Sequence, residues 1–308
     1  MRKAFVIIAL LYCALCHAQT DAATHAARYD RQVRTVGPSG VGVETILDRW
    51  EADFPDDPAL LEARYKFYLA KSVSTTVVAK DAEKYLGNAP VITLKDSTGA
   101  DVHYFEENIF VDSLFARSQT AIDRAVALAP QELAYRVDKI TSLMLYEKDS
   151  PDLATQELLG IIAFNKNSKP SWTYYGMPVD DETFVSTVQE YCFNFFKNGT
   201  PSSYEAFRTV SEAMLMLYPS NTDFMNNMGS YWLVSKQNNS KALKWYNKVL
   251  KLDPSNYNAA KNCLLLARKS KNIKLEKKYL PLLIQNSPSE SERMACEARL
   301  EGLQSKKK

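Results

Sequence analysis

Glycine is scarce in this sequence, with 10 residues in a chain of 308. That share is less than half of the roughly 7% that is usual in globular proteins. A fold of many short strands needs glycine in its tight turns, whereas alanine, leucine, lysine and glutamate favour long helices. The composition therefore predicts an all-α fold.

Histidine and cysteine are also rare, at three and five residues. Cys13 and Cys16 fall in an N-terminal segment that we expect to be removed, which leaves Cys192, Cys263 and Cys296. An odd number of widely spaced cysteines forms neither a disulfide framework nor a zinc pattern, and Cys192 and Cys263 are expected to be small buried hydrophobes. Phosphate-binding glycine loops and nucleophile-elbow motifs are missing as well. We expect no metal, no cofactor and no enzymatic activity.

The N-terminus has the pattern of a secretory signal peptide. Arg2 and Lys3 precede an uncharged apolar run over residues 4–16, and the small residues Cys16 and Ala18 fit cleavage after Ala18. The run is shorter than the roughly 20 residues that span a bilayer, and no second run of that length follows. Residues 1–18 therefore predict export to the periplasm or cell envelope, without a transmembrane span in the mature chain. An uncleaved anchor and a lipid-attached Cys16 stay open as alternatives.

Removal of residues 1–18 leaves 36 basic and 36 acidic residues. A near-neutral mature chain argues against nucleic acid or an anionic membrane as partner. The basic tail at 304–308, with Lys306, Lys307 and Lys308, is expected to be a solvated chain end.

A repeat of about 35 residues dominates the rest of the chain, and it is clearest at 221–256. In its first half the apolar residues Phe224, Met228 and Tyr231 recur at helical spacing, and in its second half Ala242, Tyr246 and Val249 do the same. The sequence predicts two helices here, with a turn at 238–240 and a stop before Pro254.

These residues resemble the tetratricopeptide repeat. Met228, Gly229, Trp232, Ala242, Tyr246, Val249 and Pro254 stand where that family has Leu-Gly, an aromatic, a small residue, an aromatic, a small residue and proline. Small residues at 229 and 242 would let the two helices approach closely. The resemblance implies a tetratricopeptide-type α-α superhelix. Predicted helix pairs are 57–72 with 112–129, 131–147 with 151–164, 182–197 with 202–218, 222–236 with 240–252, and 256–270 with 273–286, with end helices at 43–54 and 290–303.

The mature chain also looks like a group of exported tetratricopeptide proteins of Gram-negative envelopes whose function is undefined. The likeness rests on LDRWEADFPDDPALLEARYKFYLAKS, on HYFEENIFVD and on the Trp-Tyr-Tyr segment that ends in Asp-Asp. It implies architecture and cellular address only.

Two insertions interrupt the predicted helices. Residues 90–105 have a β-branched run, Val91 to Thr93, and an aromatic run on the two sides of a polar segment, which predicts a small β-hairpin with Gly99 in its turn. Residues 165–181 form an aromatic loop with Trp172, Tyr174 and Tyr175, which could be a platform for a small ligand or could fill the seam between helix pairs. The predicted organisation is a signal peptide (1–18), a flexible leader (19–40), N-terminal repeats (41–164), the aromatic loop (165–181), C-terminal repeats (182–303) and the tail.

Stacked helix pairs of this family bind peptides in a groove lined by the first helix of each pair. The resemblance places the groove positions of this chain at Asp223, Asn226, Asn227, Ser230, Asn258 and Lys261. A merely solvated face is the alternative for these residues. We expect a non-catalytic module that binds an unidentified protein or peptide, with small-ligand or glycan binding at the aromatic loop as the second possibility.

Overall fold

The computed structural model describes residues 21–305, and most of them are helical. The helices of this range are α1 (Ala22–Val36), α2 (Val43–Asp53), α3 (Pro58–Ser72), α4 (Asp112–Leu128), α5 (Leu133–Glu147), α6 (Asp152–Ser168), α7 (Asp181–Asn198), α8 (Pro201–Leu217), α9 (Thr222–Val234), α10 (Asn239–Leu252), α11 (Tyr257–Lys269), α12 (Ile273–Asn286) and α13 (Glu290–Ser305). The strands are β1 (Val73–Lys80), β2 (Ile92–Lys95), β3 (Asp101–Phe110), β4 (Thr173–Tyr174) and β5 (Met177–Pro178). The predicted signal peptide and Lys306 to Lys308 of the tail lie outside the described residues.

The chain divides into two compact units. Among the described residues, unit 1 comprises 21–76, 107–142 and 173–177, and unit 2 comprises 77–106, 143–172 and 178–305.

The prediction of a flexible leader over 19–40 was wrong for most of its length, because residues 22–36 form α1. Asp21 caps the helix by accepting a hydrogen bond from the Thr24 backbone N–H at 2.7 Å. Tyr29 is buried in a cluster with Trp50 of α2. Ala26 and Val33 pack on the same cluster, so the apolar residues of α1 do recur at helical spacing.

The predicted pairing of 57–72 with 112–129 is confirmed by α3 and α4, which pack along each other in unit 1. The Asp57 carboxylate caps α3 by accepting from the Ala59 N–H at 3.0 Å, and Pro58 follows it in the first turn. The buried residues Leu61 and Ile122 join the two helices.

The predicted hairpin is confirmed, but the sheet is larger than expected. β2 and β3 pair antiparallel, Ile92 with Tyr104 through Lys95 with Asp101, and Gly99 takes the left-handed conformation in the turn (φ 85°). The sheet contains a third strand, in the order β1-β3-β2. β1 continues directly from α3 as a β-branched run, and β3 extends to Phe110.

In unit 2, helices α7 to α13 pack in chain order, each against the next. The three predicted pairs within 182–286 are thereby confirmed. Four successive helices, α9 to α12, begin at an asparagine whose side chain accepts a backbone N–H of the first turn. These caps are Asn221, Asn238, Asn256 and Asn272.

The predicted helices at 131–147 and 151–164 are α5 and α6, and the Glu147 carboxylate caps α6 by accepting from the N–H groups of Leu153 and Ala154.

Gly229 occupies the contact between α9 and α10. A Cβ atom at this position would lie 2.4 Å from Cε1 of the fully buried Tyr246 ring. The predicted close approach of these helices at Gly229 is therefore confirmed.

Cys192 and Cys263 are fully buried free thiols, as expected. Each unit is built of packed α-helices, as the predicted all-α fold requires, and small β-sheets are the other regular structure of residues 21–305.

Candidate functional site

The four predicted groove residues on α9 differ in their accessibility. Asp223 is exposed, Asn226 and Ser230 are half-buried, and Asn227 is buried at 8% exposure. Asn227 donates from Nδ2 to Gln189 Oε1 at 2.8 Å and accepts at Oδ1 from Gln189 Nε2 at 3.1 Å. Its Nδ2 also donates to Ser211 Oγ at 3.2 Å. Asn227 therefore ties α7, α8 and α9 together and does not face a partner.

Asn226 and Ser230 contact the neighbouring helices. Nδ2 of Asn226 donates to Oδ1 of Asn256, the cap of α11, at 3.2 Å, and the Ser230 hydroxyl lies 3.1 Å from the Tyr246 hydroxyl. Asp223 makes no side-chain hydrogen bond within the described residues. On this helix, Asp223 is the predicted groove residue whose side chain is fully available.

On α11 both predicted residues, Asn258 and Lys261, are exposed. Asn258 has no side-chain partner in the part of the chain that the structure describes. The Lys261 ammonium donates to the Tyr257 hydroxyl at 2.7 Å and lies 3.2 Å from a Glu292 carboxylate oxygen. The hydrogen bond to Tyr257, followed by the one to Glu292, raises the pKa of Lys261.

Sequence reasoning missed Leu265, which is 54% exposed on α11. It follows Asn258 by seven residues and Lys261 by four, so the three side chains share one face of the helix. An exposed leucine at this spacing could have been recognised from the pattern, because the buried residues of α11 lie on the other side. We call Asp223, Asn258, Lys261 and Leu265 the first-helix face.

The structure separates the residues of the predicted aromatic loop. α6 runs to Ser168, so the irregular segment is shorter than expected. Trp172 is 4% exposed and lies in unit 2, where its ring stacks on Phe184 at 5.7 Å and its Nε1 donates to Asn165 Oδ1 at 2.9 Å. Trp172 is a core residue and presents no free ring face.

Tyr174 and Tyr175 belong to unit 1 and are 41% and 55% exposed. Their rings meet edge-to-face at 5.0 Å. The Glu132 carboxylate holds this turn by accepting from the backbone N–H groups of Tyr175, at 2.7 Å, and Gly176, at 3.1 Å. Two exposed aromatic rings are thus presented on a turn with a defined conformation.

A charged cluster lies beside Tyr175. The Lys66 ammonium is 2.5 Å from Glu62 Oε1, 3.9 Å from Asp138 Oδ2 and 3.5 Å from the Tyr175 hydroxyl. Burial raises the pKa of Asp138 to about 6, although the Lys66 charge opposes the shift. Burial lowers the pKa of Lys66, but the hydrogen bond to Glu62 together with the nearby charges of Glu62 and Asp138 outweighs burial, so the net shift is upward.

A cavity of about 380 Å³ lies among α2, α3 and α4 of unit 1. Arg64 at its wall is bonded to Asp48 and Glu51, at 2.6 Å each. The Arg117 guanidinium covers the Tyr68 ring at 4.1 Å. Charges of both signs line the cavity, so it has no clear preference for a cation or an anion. Its lining residues are Glu44, Asp48, Glu51, Leu61, Arg64, Tyr68, Arg117, Thr120, Ala121 and Arg124.

The groups with catalytic potential have structural partners. His25 Nε2 lies 2.9 Å from Asp53 Oδ2 with its ring stacked beside Trp50, and His103 is bonded to Thr93. Burial raises the pKa of the Cys192 and Cys263 thiols to about 12, which leaves them protonated at neutral pH.

Residues 21–305 contain no group of three or more His, Cys, Asp or Glu side chains that could hold a metal ion. Within the same range, no helix has the length and apolar character needed to cross a bilayer.

Two solved structures are distantly similar to this chain. No protein-family model matches the chain, and no curated protein matches it. A solved structure from the functional characterisation of Pseudomonas aeruginosa pilF is 15% identical over 61% of this chain and 76% of that one, with a TM-score of 0.39. The flexible tandem repeat domain of a bacterial cellulose synthase component is 16% identical over 94% of this chain and 98% of that one, with a TM-score of 0.29. Likenesses at this level support no conclusion about function.

Proposed function

We propose that this chain is a non-catalytic protein-interaction module of the cell envelope, which binds a peptide or protein segment on its first-helix face. The observation that carries the proposal is the pair Asp223 and Asn258. The two residues occupy equivalent positions 35 residues apart on α9 and α11, and both side chains are exposed without a hydrogen-bonding partner among the described residues. A partner could therefore bond to them without breaking an existing contact.

The chemistry of this face suits an extended polypeptide. Asn258 can both donate to and accept from a peptide group, Asp223 accepts from N–H groups, and Lys261 donates to carbonyl oxygens. Leu265 adds an apolar contact at the same face. Several such side chains on successive helices can follow one segment along its length.

Two further parts of the proposal have separate support. The absence of catalysis is supported by the structural roles of His25 and His103 and by the raised pKa of the buried thiols. The envelope location is supported by the signal-peptide pattern of residues 1–18.

The test is affinity capture from a native cell-envelope extract, with the captured proteins identified by mass spectrometry. The variant Asp223→Lys/Asn258→Glu changes both available groups, and the control Glu301→Lys/Asn167→Glu makes the same kind of charge changes at exposed positions of α13 and α6. A specific partner should be captured by the wild type and the control and be lost with the first variant. Equal capture by both variants, or no enrichment over bare resin, would refute the proposal.

The aromatic turn favours a second candidate function, the binding of a small ligand or glycan. The observation is the exposed ring pair Tyr174 and Tyr175, held by Glu132 beside the Lys66 cluster. Trp172 is unsuitable as a test residue because it is in the core. A thermal-shift screen over sugars should instead compare the wild type with Tyr175→Ala. A sugar that shifts both proteins equally does not bind at this turn.

A further inference from the structure

The charge of unit 2 is distributed very unevenly along the chain. Residues 236–278 contain 11 lysines and one arginine but only two acidic residues, Asp253 and Glu276. Of the 36 acidic residues of the whole chain, 30 precede residue 236. The near-neutral net charge argued against an anionic partner, but it conceals a strongly basic segment.

The structure brings these lysines to one side of two helices. α10 carries lysines at intervals of three and four residues, on the side opposite to the fully buried Ala242, Tyr246 and Val249. α12 lies beside it, because the Lys278 ammonium donates to Asn247 Oδ1 of α10 at 3.0 Å. Lys274 precedes Lys278 by one turn. The exposed lysines of the two helices form what we call the lysine face: Lys241, Lys244, Lys248, Lys251, Lys274 and Lys278.

Among residues 21–305, no acidic side chain forms an ion pair with a lysine of the lysine face. α10 contains no acidic residue. Glu276, the acidic residue of α12, is 3% exposed and is bonded to Arg268 and Arg299. Within residues 21–305, no carboxylate lies within salt-bridge distance of any of the six ammonium groups, whereas Lys236 and Lys261 do have such partners. Six like charges on one surface repel each other, and an anionic partner would relieve that repulsion.

Two tryptophans border the lysine face. The Lys241 ammonium lies 3.9 Å from the centre of the Trp232 ring, and the Lys248 ammonium lies 3.9 Å from that of Trp245. Both indoles are half-buried, whereas the other two tryptophans, Trp50 and Trp172, are 1% and 4% exposed. Indole rings beside lysines are typical of surfaces that lie at the level of lipid headgroups.

The side-chain types distinguish between anionic partners. Interfaces with proteins are enriched in arginine and depleted in lysine, because the guanidinium group pairs with carboxylates in a fixed, bidentate geometry. The segment has 11 lysines to one arginine. Lysine is a hydrated point charge on a flexible stem, which suits the diffuse charge of a bilayer surface.

We propose that the lysine face docks on the surface of an anionic phospholipid bilayer. Lys241 to Lys251 cover about 15 Å along α10, at 1.5 Å per residue. The contact is peripheral and electrostatic, with Trp232 and Trp245 at headgroup depth. It uses the second helices α10 and α12, so the first-helix face on α9 and α11 can bind a partner independently.

The experiment uses the full chain with vesicles of 70% phosphatidylcholine and 30% phosphatidylglycerol, in 50 mM NaCl, and with vesicles of pure phosphatidylcholine. Co-sedimentation measures binding, and tryptophan fluorescence reports Trp232 and Trp245 over the constant background of the buried rings. The test variant is Lys244→Gln/Lys248→Gln/Lys251→Gln. The control variant Lys84→Gln/Lys95→Gln/Lys166→Gln removes the same charge from exposed positions elsewhere in unit 2.

The wild type should bind the anionic vesicles and not the neutral ones, with a blue shift of its fluorescence and a loss of binding at 300 mM NaCl. Each lysine near an anionic surface raises the binding constant about fivefold, so the test variant, which lacks three lysines, should bind about 100-fold more weakly. The control should bind like the wild type. The single change Lys248→Gln should weaken binding about fivefold. This variant tests the proposal if the triple variant does not fold. No binding to the anionic vesicles, equal loss in both triple variants, or binding of DNA or polyglutamate in place of the vesicles would overturn the proposal.

Discussion

Replacement of Gly229 by alanine tests the close approach of α9 and α10. Alanine is favoured over glycine in a helix by about 1 kcal/mol, so the change would be stabilising if space were free. Here the new Cβ would lie 2.4 Å from Tyr246 Cε1 and 2.7 Å from Cδ1 and Cζ. The Tyr246 ring is fully buried and its hydroxyl is bonded to Ser230, so it cannot move without disturbing the core.

Overpacking of a core costs about 1–3 kcal/mol, and at such short distances we expect the upper part of that range. The net result should be a loss of about 1–2 kcal/mol after the helix-propensity gain is subtracted. Urea unfolding followed by circular dichroism measures it. Gly160→Ala is the matched control, because Gly160 is also inside a helix and its Cβ would meet nothing within 4 Å. That control should be stabilised.

A double-mutant cycle identifies the cause of the loss. If the Tyr246 ring is the obstacle, Gly229→Ala should cost about 1–2 kcal/mol less in a Tyr246→Leu background than in the wild type. The reasoning is refuted if Gly229→Ala stabilises the protein as much as Gly160→Ala does, or if the cycle shows no coupling.

Three further predictions concern buried groups. Trp172→Ala should lower the free energy of unfolding by about 3–5 kcal/mol, because the ring is 4% exposed and stacks on Phe184. Urea titration measures the loss, and a value below about 1 kcal/mol would place the ring outside the core. Asp138→Asn should stabilise the protein by about 1–2 kcal/mol above pH 6 and not below pH 4. The reason is that the folded carboxyl, with its pKa of about 6, loses its proton at a higher pH than the unfolded one. Thermal melts between pH 4 and pH 8 measure the difference between variant and wild type, and a difference that does not change with pH contradicts the prediction. Glu276→Gln should cost about 1–2 kcal/mol at pH 7, because hydrogen bonds from Arg299 lower the pKa of Glu276 and stabilise its charged form in the fold. That cost should shrink as the pH falls below the ordinary glutamate pKa of 4.5, and an equal cost at pH 3 would disprove the ion-pair explanation.

Local signals in the sequence were sufficient to predict an element where a particular residue type meets a conformational requirement of the backbone. The predicted helix 57–72 agrees with α3, which Asp57 caps and Pro58 begins, and Gly99 predicted the hairpin turn. Sequence reasoning missed α1, although Ala26, Tyr29 and Val33 recur at helical spacing there. What only the tertiary structure adds is the packing of Tyr29 against Trp50, which lies 21 residues away. Sequence reasoning missed β1 because that strand exists only by pairing with β3.

The candidate site was less predictable than the fold. The repeat placed Asn227 in a groove, but hydrogen bonds to Gln189 and Ser211 turn it into a link between helices. Exposed and buried amides cannot be distinguished by spacing when the helix has neighbours on more than one side, as α9 does. Trp172 and Tyr175 differ in the same way, because the sequence places them together and packing buries one and exposes the other.

The sequence by itself determined the helical class, most helix boundaries and the 35-residue repeat, because these follow from local propensity, capping and the period of apolar residues. It also contained the basic segment 236–278, although the overall charge concealed it. The tertiary structure alone decided which polar residues remain free and which lysines share a surface. Accessibility depends on residues that are distant in the chain and meet only when the helices pack.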